Sequence, residues 1–376
     1  MRFARGHYNG IPMSPMALRR QVGQLAFLGF QGSQIPPEVR SIAHEFAVGG
    51  VILFARNVEC PEQIAELAFE AQRLVPDMPV WVGVDQEGGR VARLRRPFTE
   101  WPSMAALGRS GDRILARRFA EALGRELGAV GVSIDFAPVL DVLTNAHNPA
   151  IGDRALGSDA GAVADLGAEI IDALQAAGVA ACGKHFPGHG DTSVDSHHDL
   201  PVVDHAPDRL DAIEYVPFRR AIDAGVAAIM VAHVLVPAYD EERPASVSPR
   251  IVSGVLRQEL SFDNLIVTDD LSMKGCSARW APPAAALMAV AAGADAVLLC
   301  EPNHDQQAQA LEDLVHAIED GTLSYQQVEA SVARHQRLKS RFLDSDDRGL
   351  RPSSRWRQVV GCEAHAAIAA EMARYA

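Results

Sequence analysis

The sequence predicts a TIM-like (β/α)8 barrel, an α/β fold built as a single domain with a C-terminal helical extension. Eight short apolar runs recur along the chain, and segments with helical signals lie between them. Apolar strands that alternate with helices are typical of a parallel sheet covered on both faces. Eight strand–helix units are the number that closes into a barrel, which needs about 250 residues plus insertions.

The strands are predicted from runs that stay apolar on successive residues, which indicates burial of both faces. The eight runs are Gln24–Phe30, Gly50–Phe54, Val80–Val84, Gly131–Ala137, Val179–Gly183, Ala227–Ala232, Leu265–Thr268 and Ala294–Leu299. An open, doubly wound sheet is the alternative. No Gly-x-Gly-x-x-Gly turn follows the first strands, so a dinucleotide-binding fold has little support.

The helices are predicted from start signals and apolar periodicity. Pro61 and the pair Ser248-Pro249 are typical of a first helical turn. The segment Asp112–Leu127 places four apolar residues on one expected face: Ile114, Phe119, Leu123 and Leu127. The predicted helices are Pro61–Leu74, Asp112–Leu127, Asp159–Ala177, Pro217–Ala224, Pro249–Leu260 and Asp305–Asp320.

The long apolar stretch Ala281–Cys300 contains two prolines, a glycine and an aspartate, so it predicts a helix, a turn and a strand instead of a membrane span. A polar, charged break at 344–357 precedes the Ala-rich segment Glu363–Tyr375. We therefore expect a catalytic barrel over residues 16–343, a possible N-terminal extension over 1–15, and a linker with a terminal helix packed on the barrel over 344–376.

Composition narrows the function. The net charge of −13 argues against nucleic-acid partners and against an anionic membrane surface. The five cysteines are scattered, which predicts small buried side chains in a reducing compartment and no disulfide framework. No apolar secretory segment lies near the N-terminus, so we expect a cytoplasmic protein. We also expect a monomer, and a small-molecule substrate as its partner.

The stretch Lys184–Pro201 is the most informative part of the chain. It holds four histidines and three aspartates in eighteen residues, interrupted by glycines and prolines that prevent a regular helix. We call this stretch the histidine loop. Other polar clusters also begin where predicted strands end: Asp85 to Arg93, Asp141 to Arg154, His233, and Asp269-Asp270. Because a barrel brings the carboxyl ends of its strands to one rim, these clusters are expected to meet there.

These residue types suit a particular chemistry. In Asp195-Ser-His197 the carboxylate can fix the imidazole tautomer and leave a group that exchanges protons near pH 7. Carboxylates at strand ends can act as nucleophiles, and Lys184, Arg93 and Arg154 can donate to substrate oxygens. One nucleophilic carboxylate and one proton shuttle suit the transfer of a glycosyl group to water.

The chain resembles glycoside hydrolase family 3, in particular its compact single-domain bacterial β-N-acetylglucosaminidases. The resemblance rests on six segments in order: Gly49-Gly-Val-Ile-Leu-Phe54, Val84-Asp-Gln-Glu-Gly-Gly-Arg-Val91, Gly152-Asp-Arg-Ala-Leu-Gly157, Lys184-His-Phe-Pro-Gly-His-Gly-Asp-Thr-Ser-Val-Asp-Ser-His197, Val267-Thr-Asp-Asp-Leu-Ser-Met273 and Ala291-Ala-Gly-Ala-Asp295. The histidine loop is the most specific of them, and Gly49–Phe54 is weaker.

The resemblance implies a retaining hydrolase that needs no cofactor or metal. It implies that Asp269 is the nucleophile and that His197 is the acid/base, polarised by Asp195. It also implies that the N-acetylglucosamine ring is held by five residues: Asp85, Arg93, Arg154, Lys184 and His185. The implied substrate is a muropeptide, N-acetylglucosaminyl-1,6-anhydro-N-acetylmuramoyl-peptide, which the cell meets in the cytoplasm during peptidoglycan recycling.

Several alternatives stay open from the residues alone. The local sequence does not choose between Asp269 and Asp270, and His189 could be functional or could brace the loop. The spacing His185-x3-His189-x-Asp191 superficially resembles a zinc ligand set, although its glycines and proline give no helical register. A β-N-acetylglucosaminide phosphorylase would use the same barrel with phosphate as the acceptor, and a sugar-binding barrel without catalysis is a further alternative.

Overall fold

In a computed structural model, which describes residues 7–8, 11–12, 14–343 and 354–376, the fold is a closed barrel of eight parallel strands. The barrel strands are β1 (Ala26–Leu28), β2 (Gly50–Leu53), β3 (Trp81–Val84), β4 (Ile134–Asp135), β5 (Ala180–Phe186), β6 (Ala228–Val231), β7 (Leu265–Asp270) and β8 (Ala296–Leu299). They pair in chain order, and β8 pairs with β1 to close the ring. The predicted (β/α)8 fold is confirmed, and each predicted run matches one strand, although β5 and β7 extend past their runs to Phe186 and Asp270.

Alternate strand residues fill the barrel interior with apolar side chains. Phe27 of β1 packs edge-on against Phe136, with ring centroids 6.1 Å apart. The helix Tyr325–Leu343 closes the end where the strands begin, and its Phe342 lies 6.3 Å from the Trp81 ring by centroid. Apolar side chains therefore close this end of the barrel. The polar side chains that follow the strands lie at the opposite rim, because all eight parallel strands end there.

Helices surround the strands and bury the outer apolar layer. They are α1 (Pro15–Gly23), α2 (Pro37–Phe46), α3 (Pro61–Ala71), α4 (Met104–Ser110), α5 (Arg113–Ala129), α6 (Ala160–Ala176), α7 (Tyr215–Asp223), α8 (Pro282–Ala292), α9 (His304–Glu319), α10 (Tyr325–Leu343) and α11 (Glu363–Met372). A π-helical segment, Arg250–Glu259, takes the place of the helix predicted at Pro249–Leu260. Short helices such as Lys274–Ser277 lie in the loops.

Sequence reasoning missed or misplaced some helical features. It did not predict α1, α2 and α10, whose outer faces are charged and polar, or α4, which is only seven residues long. Ile114 was expected on the buried face of α5, but it is 71% exposed, while its neighbour Leu115 is buried. The helix begins with Asp112 as its N-cap, and the first turn projects Ile114 to the outside.

The predicted C-terminal helical extension is present as α11, which contacts α5. The buried carboxylate of Glu126 in α5 accepts hydrogen bonds from the Gly361 backbone and from Nδ1 of His365, at 2.9 and 2.8 Å. The same carboxylate accepts from the backbone and hydroxyl of Thr99. One buried anion thus joins α5, the loop before α4 and the terminal segment.

The predicted boundary at residue 343 adjoins residues outside the described part, and most of the expected N-terminal extension and residues 344–353 of the expected linker lie outside it. Among the described residues before α1, 7–8 pair antiparallel with 11–12. None of the helices in the described part of the chain is both long and apolar enough to cross a membrane.

The cysteine prediction needs one correction. All five cysteines are free, and Cys182, Cys276 and Cys300 are buried as expected. Cys60 is exposed and Cys362 is half-buried, because each stands at the N-cap of a helix that begins at the surface.

Candidate active site

A pocket lies at the rim where the strands end, and its empty space, including the open mouth, is about 750 Å3. All eight site residues predicted from the sequence line it: Asp85, Arg93, Arg154, Lys184, His185, Asp195, His197 and Asp269. The rest of its wall is Glu87, Arg90, Val91, Ala150, Ile151, His189, Ser196 and Met230. Residues separated by up to 184 positions therefore meet because parallel strands deliver them to one rim.

A buried charge network forms one wall of the pocket. Lys184 belongs to β5, and its side chain ends between two carboxylates. Its Nζ lies 2.8 Å from Asp85 and 2.7 Å from Glu87. Glu87 also binds the guanidinium of Arg154 through two hydrogen bonds of 2.7 and 2.9 Å. Burial alone would lower the pKa of Lys184, but the two carboxylates raise it above its usual value overall. The ammonium is therefore held charged at the pocket wall.

Arg93 is positioned by a small hairpin, Gln86–Gly88 with Val91–Ala92. The buried amide of Gln86 accepts from the backbone N–H groups of Arg93 and Leu94 and donates to the Leu94 carbonyl. The Arg93 guanidinium then reaches Asp85 at 3.1 Å. Although burial raises the pKa of Asp85, Lys184 and Arg93 hold it below its usual value, so this carboxylate is ionised.

Two buried aspartates lie beneath the rim. Asp135 accepts from the Gln86 backbone, and burial raises its pKa well above the usual value. Asp141 accepts from the backbone and Nδ1 of His185, the latter at 2.7 Å, and from the His189 backbone. Nε2 of His185 lies 3.3 Å from the Arg154 guanidinium, which can only donate. His185 therefore carries its proton on Nδ1 and keeps Nε2 as an acceptor.

The two adjacent aspartates at the end of β7 have different surroundings. Asp270 is fully engaged, since its carboxylate accepts from Ser272 and from the Cys300 backbone. Asp269 faces the pocket, and one of its oxygens accepts from the Asp270 backbone at 2.8 Å. Neighbouring strand residues point to opposite sides, which explains the division.

His233, at the end of β6, supports this strand end. Its Nε2 lies 2.9 Å from the carbonyl oxygen of Asp270, so that nitrogen must donate, and its Nδ1 accepts from the Ser246 hydroxyl. Although burial raises the pKa of Asp269, its pKa lies below the usual value overall, and the hydrogen bond from the Asp270 N–H favours the ionised form. A pocket-facing, ionised carboxylate results.

The pair Asp195 and His197 stands at the mouth of the pocket. Nδ1 of His197 lies 2.8 Å from Asp195, whose same oxygen also accepts from the His197 backbone. Burial raises the pKa of Asp195, yet these two hydrogen bonds lower it below its usual value overall. The His197 side chain is 64% exposed, so Nε2 is free to meet a ligand, whereas the neighbouring His198 is exposed outside the pocket lining.

The histidines of the loop do not form a metal-ligand set. Both ring nitrogens of His189 are occupied by hydroxyls, those of Thr192 and Ser196, and Nδ1 of His185 binds Asp141. Asp191 pairs instead with His205 at 2.6 Å. Across residues 14–343 and 354–376, no group of three or more His, Cys, Asp or Glu side chains is placed to hold a metal ion.

Close packing fixes the shape of the histidine loop. A Cβ atom at Gly190 would lie 1.9 Å from the carbonyl oxygen of Val142, so only glycine fits there. Asn148 donates to the His189 carbonyl and to Thr192, tying the loop to the segment that carries Arg154. Sequence reasoning did not single out Asn148, Thr192 or Ser196, because amides and hydroxyls are too common in loops to stand out.

Comparison with known proteins agrees with this architecture. The family model "Glycosyl hydrolase family 3 N terminal domain" matches residues 17–338. Beta-hexosaminidase A of Pseudoalteromonas piscicida is 36% identical over 336 residues, which are 83% of this chain but only 56% of that protein. The chain thus spans little more than half of this relative's length.

Two solved structures are similar over nearly the whole chain. A glycoside hydrolase family 3 β-N-acetylglucosaminidase from Paenibacillus sp. FPU-7 is 41% identical with a TM-score of 0.91, covering 95% of this chain and 68% of its own. NagZ from Neisseria gonorrhoeae is 30% identical with a TM-score of 0.76, covering 94% of this chain and 97% of its own. The chain therefore belongs to glycosyl hydrolase family 3 and is a glycoside hydrolase similar to the β-hexosaminidases of that family.

Proposed function

We propose that the protein is a retaining exo-β-N-acetylglucosaminidase that removes non-reducing terminal N-acetylglucosamine from 1,6-anhydro-muropeptide fragments. One observation carries the mechanism: an ionised Asp269 and the hydrogen-bonded Asp195–His197 pair line the same pocket. A retaining glycosidase needs these two parts, a nucleophilic carboxylate and a separate group that gives and then takes a proton.

In the first step, Asp269 attacks the anomeric carbon while the bond from that carbon to the leaving oxygen breaks. Protonated His197 gives its proton to the leaving oxygen, and the Asp195 carboxylate stabilises the imidazolium beforehand. In the second step, neutral His197 takes a proton from water, and the hydroxide oxygen displaces Asp269. The sugar leaves with its original anomeric configuration because the carbon is inverted twice.

The charge network of the wall suits recognition of the sugar. Asp85, Arg93, Arg154, Lys184 and His185 present donors and acceptors with fixed orientations, and Lys184 and Arg154 are held by buried Glu87. Neutral hydroxyl and acetamido groups of a hexosamine can pair with such fixed groups. The solved relatives named as β-N-acetylglucosaminidase and as NagZ support N-acetylglucosamine as the sugar.

We further propose that the protein works as a monomer in the cytoplasm, in peptidoglycan recycling. The support is the resemblance in sequence and fold to NagZ, together with the net charge of −13, which disfavours nucleic acid. Purified anhydro-muropeptide should release N-acetylglucosamine, seen by mass spectrometry. Absence of release, with turnover of simple N-acetylglucosaminides intact, would refute the proposed substrate and leave the activity standing.

The activity is tested with two para-nitrophenyl substrates side by side, the N-acetyl-β-glucosaminide and the β-glucoside, with a chelator present. We expect cleavage of the acetamido sugar alone. Cleavage that needs added phosphate and yields a sugar phosphate would favour the phosphorylase instead, and loss of activity with chelator would favour a metal-dependent hydrolase.

Two matched pairs of variants test the roles proposed for Asp269 and His197. Asp269→Ala should abolish turnover of every substrate, because the other carboxylates that line the pocket, those of Asp85, Glu87 and Asp195, are paired with Lys184 or His197, whereas Asp270→Asn should retain the nucleophile. His197→Ala should slow natural disaccharides far more than activated aryl substrates, by roughly 10²- to 10⁴-fold, and His198→Ala should change neither. Residual turnover in Asp269→Ala, or equal losses on both substrates in His197→Ala, would contradict the assignment.

A further inference from the structure

Ser196 lies between the two residues of the proposed acid/base pair in the sequence, but unlike them it is buried. It is 3% exposed, while the side chains of Asp195 and His197 are 24% and 64% exposed. Its carbonyl oxygen accepts from the backbone N–H of Gly275 at 2.8 Å. Its hydroxyl lies 3.2 Å from Nε2 of His189. The first bond attaches the tip of the histidine loop to the segment after β7, and the second attaches the tip to the buried base of the same loop.

The hydrogen-bond chain behind Ser196 shows why this attachment is rigid. His189 is buried, its backbone donates to Asp141 at 2.6 Å, and its Nδ1 lies 2.7 Å from the Thr192 hydroxyl. Burial lowers the pKa of His189, which keeps the ring neutral. A neutral ring with Nδ1–H bonded to Thr192 leaves Nε2 as the acceptor for the Ser196 hydroxyl.

The other attachment connects the loop to the segment after the proposed nucleophile. Gly275 belongs to the short helix Lys274–Ser277, which follows β7 and Asp269 within a few residues. A Cβ atom at position 275 would lie 3.0 Å from the His233 Cβ and 3.2 Å from the Ser196 oxygen. The bare glycine backbone therefore lets the two segments approach.

We propose that Ser196 is the positioning residue that holds the Asp195–His197 pair over the sugar pocket, through its bonds to His189 and Gly275. This inference rests on the proposed function, since it assigns Ser196 to the proton-transfer half of that reaction. Loss of the hydroxyl leaves Asp269 and the sugar wall in place and misplaces only the proton donor. Misplacement of a catalytic group by about 1 Å can slow its step by about 10²-fold.

The test compares Ser196→Ala with the wild type on two substrates. We expect kcat/KM for an N-acetylglucosaminyl disaccharide, whose leaving group needs a proton, to fall roughly 10- to 100-fold. For the 2,4-dinitrophenyl N-acetyl-β-glucosaminide, whose leaving group needs none, kcat/KM should stay within about twofold. Azide should raise kcat of the variant on the aryl substrate, because it attacks the glycosyl-enzyme without base assistance. A kcat/KM for the aryl substrate that stays near the wild-type value also shows that the variant is folded.

Ser193→Ala is the matched control, because Ser193 lies in the same loop and is exposed. It should behave as wild type on both substrates. Equal losses of Ser196→Ala on both substrates, or no loss on either, would overturn the role of Ser196. His197→Ala, measured in parallel, separates the two proposals: its leaving-group dependence tests the proposed function, and that of Ser196→Ala tests the positioning alone.

Discussion

Glu87→Gln is the substitution whose effect follows most directly from the site geometry. The Glu87 side chain is 1% exposed, with one oxygen 2.7 Å from both Lys184 and Arg154 and the other 2.9 Å from Arg154. The amide keeps the shape but removes the negative charge and turns an N–H2 group toward groups that only donate. Lys184 then keeps one of its two carboxylate partners, and Arg154 loses the carboxylate that binds it.

Breaking a buried ion pair by removing one partner costs about 3–5 kcal/mol. We expect Glu87→Gln to lose free energy of unfolding in this range, a large share of the roughly 5–15 kcal/mol that holds a domain folded. The assay is urea unfolding followed by circular dichroism. Asp153→Asn is the matched control, since Asp153 pairs with Arg90 at 3.0 Å with 51% of its side chain exposed and should lose no more than about 1 kcal/mol.

The pH dependence gives a second measure of the same carboxylate. Burial raises the pKa of Glu87, but Lys184 and Arg154 lower it far below its usual value of about 4. Its stabilisation is therefore complete above that pH and is lost as pH falls toward the folded-state pKa. The wild type should approach the variant in acid. A loss under about 1 kcal/mol at pH 7, equal to that of Asp153→Asn, would refute the reasoning.

Three further outcomes are expected. Burial lowers the pKa of Lys339 to about 7, so the folded state binds fewer protons than the unfolded state between pH 7 and about 10. The stability of the wild type should therefore rise with pH in this range. In thermal melts, the wild type should gain stability relative to Lys339→Met between pH 7 and pH 9. Gly108→Ala should cost at least about 1–3 kcal/mol, because its Cβ would lie 1.5 Å from the Leu156 carbonyl oxygen, whereas Gly157→Ala, with open space around it, should melt near wild type. Dialysis against a chelator should leave activity and melting temperature unchanged, and recovery on adding zinc would contradict this.

The sequence by itself determined the barrel and the place of its site. Eight apolar runs are a local pattern, and local burial patterns are legible without coordinates. All eight predicted site residues line one pocket, since a parallel barrel brings the ends of its strands together. The terminal helix was likewise visible as an Ala-rich segment after a polar break. The helices that were missed, such as α2 and α10, have many polar residues on their outer faces, so the apolar periodicity of their buried faces is weak in the sequence.

Only the tertiary structure decided which of two adjacent residues in the sequence faces the pocket and which supports the backbone. Asp269 and Asp270 are chemically identical in the sequence, and the division between pocket and backbone support follows from the direction of each side chain in β7. Glu87 binds Arg154 and Lys184, which are 67 and 97 positions away in the sequence, and Ser196 binds Gly275, which is 79 positions away. Hydrogen bonds and ion pairs over such separations depend on distances of a few ångströms, which composition and spacing do not encode.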